Sequence, residues 1–177
     1  MKRNLLQSPM ALALLMLSLA GCVGTSHRVM DLDNHSERDG VLAVVARSFD
    51  AIASKGPHTA DIWREVLLPT GSMSSVRERD GKLVVRAEDY AAHYERLSSR
   101  QDPSPYLERM WDPTVLIDGD IAVVWTRYDF WLDGALSHGG TDVIVMLRTD
   151  EGWRIASFAW TSEVDAPPSP LGPPTTR

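Results

Sequence analysis

The sequence predicts an α+β domain, with helices packed on one face of a curved antiparallel sheet. Three observations predict it. Apolar residues recur at helical spacing from residue 36 to about residue 67, and from Tyr106 onward the period drops to two. Turn pairs at Asp118-Gly119, Asp133-Gly134 and Glu151-Gly152 then divide the second half of the chain into four strands.

The first residues predict an address rather than part of the fold. Lys2 and Arg3 precede an apolar run, Met10 to Ala20, that is too short to cross a bilayer as a stable helix, so residues 1–21 are expected to be an export signal. The run ends Leu19, Ala20, Gly21, Cys22, which resembles the lipobox of bacterial lipoproteins. That resemblance implies cleavage before Cys22 and lipidation of its thiol with palmitate or a similar acyl chain. Several chains, at about 0.8 kcal/mol per buried methylene, would hold the domain at the bilayer essentially permanently. Val23 stands where many inner-membrane lipoproteins carry aspartate, so the resemblance implies the cell envelope and, in a Gram-negative cell, the outer membrane facing the periplasm. Cys22 is the single cysteine, which leaves an exported chain without a disulfide and without a thiol nucleophile.

Residues 22–35 are expected to be a lipidated tether and residues 36–163 one domain. The roughly 155 residues after the signal are enough to bury about two thirds of their surface in one core. The end of the chain, DAPPSPLGPPTTR, has five prolines in thirteen residues, so 164–177 is expected to be a disordered tail without chemistry. The formal charge is −6, and the signal contains two bases and no acid, so the exported part is more acidic still. That argues against nucleic acid as a partner.

Within the domain, Ser36 and Asp39 form a capping-box pattern, and Leu42, Val45, Phe49 and Ile52 recur on one helical face until Lys55, Gly56 and Pro57 stop the run. A second helix follows Thr59 with Ile62, Trp63, Val66 and Leu67 inward, ended by Pro69. Residues 72–86 predict a hairpin about Asp80 and Gly81, and Glu88 to Leu97 a third helix presenting Tyr90, Tyr94 and Leu97. Pro113 interrupts the next strand and predicts a bulge, so no face is assigned to Leu107, Arg109 or Trp111.

The stretch AVVWTRYDFWLDGALSHGGTDVIVMLRTDEGWRIASFAWT resembles the nuclear transport factor 2-like superfamily, and within it the lumazine-binding and SnoaL-like branch. A Trp and Tyr strand, a Ser-His-Gly run and the terminal Gly152, Trp153, Arg154, Ile155 carry the likeness, over residues 37–162. It implies a cone-shaped, cystatin-like fold, a pocket between helices and sheet, and a homodimer formed through the outer sheet face. The fold hosts isomerases, cyclases, dehydratases and binding modules alike, so it does not choose a chemistry.

Taking Asp133-Gly134 as a two-residue turn sets Tyr128 opposite Gly139, Asp129 opposite His138 and Trp125 opposite Asp142. Taking Glu151-Gly152 likewise sets Val143 beside Trp160 and Val145 beside Phe158. One face is then apolar and is expected to be core and pocket. The other carries Trp125, Arg127, Asp129, Trp131, His138 and Asp142, expected to be a polar cluster on an outer surface that meets another protein. The expected ligand pocket is Trp63, Tyr90, Tyr94, Tyr128, Phe130, Val143, Val145, Phe158 and Trp160, suited to a small hydrophobic or aromatic molecule.

On this parity the meander offers the dry face no titratable acid. Aligning the end pattern of the superfamily's ketosteroid isomerases on Asp150 to Ile155 places their pocket acid at Val145. A non-catalytic binding or accessory module is therefore the first expectation. The alternatives are a cyclase, dehydratase or isomerase of a hydrophobic cyclic substrate using Tyr128, His138 and Asp142, and a purely structural interaction module. His93 and Asp89 sit one helical turn apart and are expected on a solvated face. No metal site is expected, since His138 and Asp142 supply only two ligands, and no sequence motif implies a cofactor.

Overall fold

The computed structural model describes residues 35–54, 57–99, 106–167 and 169–174. The expected signal, Cys22 and nearly all of the tether lie outside the described residues. Among the described residues no helix is long and apolar enough to cross a membrane.

Among the described residues three helices, α1 (His35–Ala53), α2 (Pro57–Val66) and α3 (Tyr90–Ser98), combine with six strands: β1 (Leu67–Arg79), β2 (Lys82–Asp89), β3 (Tyr106–Asp118), β4 (Ile121–Leu132), β5 (Ala135–Thr149) and β6 (Gly152–Ser162). The strands form one sheet in the order β2-β1-β6-β5-β4-β3, antiparallel except where β1 runs parallel to β6. The expected α+β architecture of N-terminal helices on a curved, mostly antiparallel sheet is observed. α1 buries Val45 and Phe49 as expected, with Val41 rather than Leu42 completing the buried face and Leu42 and Ile52 at its margin. α2 buries Ile62, Trp63 and Val66 as expected, while Leu67 opens β1 and Pro69 falls in a register break between Leu67 and Ser72.

The hairpin at Asp80-Gly81 forms, and both residues take positive φ (54° and 72°), the conformation a tight two-residue turn requires. Asp133-Gly134 does the same. The other two turns shift by one residue: register places Gly119 and Asp120 between β3 and β4, and Asp150 and Glu151 between β5 and β6.

Three bulges then decide which side chains face the helices. In β3 the ladder slips between Trp111 and Thr114, the bulge that Pro113 predicts, and Asp112 adopts a φ of 54°. In β5 Leu136 still faces Trp131, but His138 faces Phe130, so Ser137 is the extra residue. In β6 Met146 faces Ile155 while Val145 faces Ser157, so Ala156 is extra. Each bulge reverses the alternation beyond it, because side chains alternate with period two and one unpaired residue moves every later one to the opposite face.

β4 keeps the expected parity, with Ala122, Val124, Thr126 and Tyr128 buried beneath the helices. β5 does not. Asp142 faces Thr126 and Trp160, and Ile144 and Met146 share its side, while Val143 and Val145 lie on the outer face beside Trp125 and Val123. The expected outward placement of His138 and Asp142, and the inward placement of Val143 and Val145, are thereby reversed, with the Ser137 bulge as the cause.

Glu163, the last residue of the expected domain, exchanges backbone hydrogen bonds with Gly139. Beyond it, in the segment expected to be disordered, the carbonyl of Gly172 accepts from Arg109 at 2.7 Å. Proline excludes helix and central strand but not a segment tied down at single points.

Candidate active site

The cavity between helices and sheet has a volume of about 270 Å³, just under the range of roughly 300–1,000 Å³ usual for small-molecule sites. Ile52, Met73, Tyr106, Phe130, Phe158 and Trp160 make its apolar and aromatic wall. Polar groups stand in two places, Glu108 with His138 and Tyr128 on the sheet, and His93 with Arg96 on α3.

Glu108 faces inward because the Pro113 bulge pairs it with Phe130 instead of Trp131. Asp142 is 1 % exposed, and neither of its carboxyl oxygens has a hydrogen-bond partner within the protein. An ionised carboxylate in that position is costly, so the group keeps its proton. Burial first, and the neighbouring Glu108 second, push Asp142 well above the usual carboxylate range. Burial, with Asp129 behind it, pushes Glu108 up to about 8. Glu108 thus stands at the cavity wall, and the buried Asp142 keeps its proton partly because Glu108 is near.

His138 is stacked on Phe130 (centroids 4.8 Å, planes 24°) and meets the Tyr128 ring edge-on at 5.9 Å. Burial lowers its pKa, so the imidazole is neutral; Nδ1 lies 3.1 Å from Ser137 Oγ. The Tyr128 hydroxyl donates to the carbonyl of Thr161 at 2.7 Å, so its proton is already engaged by backbone. Its ring lies over Gly140, where an added Cβ would stand 2.8 Å from Tyr128 Cε1 and 2.2 Å from Thr161 O. The two glycines of SHGGTD are therefore spacers for a close approach of β6 and Tyr128, and the histidine and aspartate that flank them both face the interior.

The polar end on α3 is a network. Glu88 Oε1 accepts from Arg96 at 2.8 Å and lies 2.7 Å from His93 Nδ1, while Arg86 reaches Oε2 at 3.1 Å. Burial raises the Glu88 pKa, but the hydrogen bonds of Arg96 and His93 outweigh it and bring the carboxyl down to about 2. His93 is lowered, burial outweighing the hydrogen bond that Glu88 accepts from it. His93 is buried between Trp63 and Trp160, with rings 5.9 and 6.4 Å away, and it is Glu88 that it meets; Asp89 instead caps α3 through the Ala92 amide at 2.8 Å. The expected solvated His93–Asp89 pair does not form.

Of the pocket expected from sequence, Tyr128, Phe130, Phe158 and Trp160 line the cavity. Trp63 and Tyr90 are buried in the core beside it, and Tyr94 packs at the core margin under Arg64. The polar cluster expected on the outer face is dissolved. Asp129 stays outside, but its partner is Arg109, which donates from Nε at 3.0 Å, and Arg127 bonds Thr141 at 2.9 Å. Glu108 was not legible as a site residue. Its only signal is the alternation Tyr106, Glu108, Met110 read through a bulge of exactly one residue at Pro113. Among the described residues no group of three or more His, Cys, Asp or Glu side chains could hold a metal ion.

These features define a nuclear transport factor 2-like, cystatin-like fold, and solved structures match it. An NTF2-like protein of unknown function from Pseudomonas putida superposes with a TM-score of 0.58 at 12 % identity, covering 75 % of this chain and 96 % of that one. A cystatin-like protein of unknown function from Nostoc punctiforme gives 0.58 at 6 % identity with the same coverages. The CaMKII hub of S. rosetta gives 0.53 at 20 %, covering 70 % of this chain and 95 % of the hub. No protein-family model and no curated protein matches the chain by sequence.

Proposed function

We propose that the cavity is a catalytic pocket and that the protein is an acid–base enzyme of the SnoaL-like kind, a cyclase, dehydratase or isomerase acting on a small hydrophobic cyclic substrate. The observation that carries this reading is the placement of Glu108 at the cavity wall with Asp142 buried behind it. Proton transfer at carbon needs one acid whose affinity for the proton lies near ambient pH, and Glu108, pushed up to about 8, is such a group. Glu108 takes the proton from a carbon beside a carbonyl, becoming neutral, and returns it to another carbon. Asp142, protonated, keeps a second negative charge from forming beside it. Neutral His138 has an N–H to offer the substrate oxygen on which charge collects. Only protons move, so the step calls for no cofactor.

The test is exchange of the α-protons of 2-tetralone in D2O, followed by NMR. The protein should accelerate it, and Glu108→Gln should remove about 100-fold or more of that acceleration. Exchange that is unchanged in Glu108→Gln would sink the catalytic reading. A non-catalytic small-molecule carrier is the second reading, favoured by the aromatic wall and by a Tyr128 hydroxyl committed to Thr161.

The LAGC motif supports an envelope lipoprotein held at the bilayer through Cys22, in the outer membrane facing the periplasm if the cell is Gram-negative. Palmitate labelling lost in Cys22→Ser tests this. The outer sheet face, with Trp125 57 % exposed beside half-buried Val143 and Val145, supports a homodimer.

A further inference from the structure

The α3 end of the cavity has more cation than it needs for its own structure. Among the described residues Glu88 is the carboxylate that these side chains share, and both its oxygens are occupied: Oε1 by Arg96 and His93, Oε2 by Arg86. Two guanidinium groups thus share one negative charge. Arg96 spends Nη2 on this network, while its Nε–H is buried and has no acceptor. A buried donor without a partner destabilises a fold, and a charged N–H bonds a carboxylate oxygen more strongly than a neutral one, so the Nε–H of Arg96 is a donor that an anion would satisfy. Arg96 also lines the cavity, together with His93. The opposite end offers Glu108, and the wall between is aromatic.

We infer that the α3 end of the cavity is an anion subsite, in which Arg96 takes the carboxylate of a hydrophobic cyclic acid while the ring lies along the aromatic wall toward Glu108. This rests on the reading of the cavity as a substrate pocket and names the class of substrate. An anion seated at Arg96 fixes the end of the molecule that meets Glu108, so orientation follows from charge and position from ring packing. Arg96 is a specificity residue in this account, and the proton is handled elsewhere.

Calorimetric titration at pH 7 with 2-naphthoate and its neutral isostere 2-naphthamide tests the subsite. The protein should bind the carboxylate about tenfold or more tightly than the amide, and added salt should weaken only the carboxylate. Arg96→Gln should bring the two ligands within about twofold by weakening the carboxylate alone. Should Arg96→Gln fail to fold, Arg96→Lys keeps a charge but loses the Nε–H donor, and the preference should fall several-fold. A preference below twofold in the unaltered protein, or one that survives in the folded Arg96 variant, overturns the inference. Amide binding with no carboxylate preference leaves the pocket standing and removes the anion subsite, whereas binding of neither ligand removes both.

Discussion

Replacing Glu108 with Gln tests the electrostatic core of the site without any substrate. Folding raises this carboxyl from its ordinary 4.5 to about 8, burial acting first and Asp129 second. The folded chain therefore holds a proton that the unfolded chain releases between those pH values, and stability must fall as pH rises across the window. Each pH unit is worth about 1.4 kcal/mol for one such group. Across the whole window this is on the order of 2 to 5 kcal/mol, the lower end applying where water enters the cavity and screens the charge. Glu108→Gln has nothing to ionise. It should match the unaltered protein near pH 4.5 and become progressively more stable relative to it up to pH 8, beyond which the difference should level off. Urea unfolding at pH 4.5, 6, 7 and 8 measures this, provided the slope against denaturant stays the same for both proteins. Asp142 contributes with the same sign, so a residual decline in the variant is expected. Parallel curves for the two proteins across the window would refute the buried-acid assignment.

Glu88 should show the opposite sign in a different window. Its carboxyl is lowered to about 2, so it stabilises the fold above pH 4.5 and loses that contribution as pH falls toward 2. Glu88→Gln should destabilise at pH 7, with the gap closing on acidification in the same unfolding assay. Gly140→Ala should cost about 2 kcal/mol or more, since its methyl would stand 2.2 Å from a backbone oxygen that β6 cannot easily withdraw; thermal unfolding reads it. Tyr128→Phe should cost only about 1 kcal/mol, the worth of the hydroxyl's bond to Thr161, and should leave 2-tetralone exchange nearly intact.

The sequence by itself determined the elements and, to within one residue, their turns. Helical spacing in α1 and α2, the change of period at Tyr106, and the Asp-Gly pairs at 80 and 133 are local signals, and local conformational preference is enough to realise them. It also determined the inner face of β4, where Ala122, Val124, Thr126 and Tyr128 alternate without interruption. What lies beyond a bulge was decided only by the tertiary structure. Pro113 announced one, because a missing donor disrupts a ladder wherever it falls, but Ser137 and Ala156 carry no such mark. A bulge costs little where it forms, and its site is set by how the twisted strands and the helices above them close together. Side-chain parity has only two values, so a single unpaired residue was enough to carry His138 and Asp142 from the outer surface to the interior.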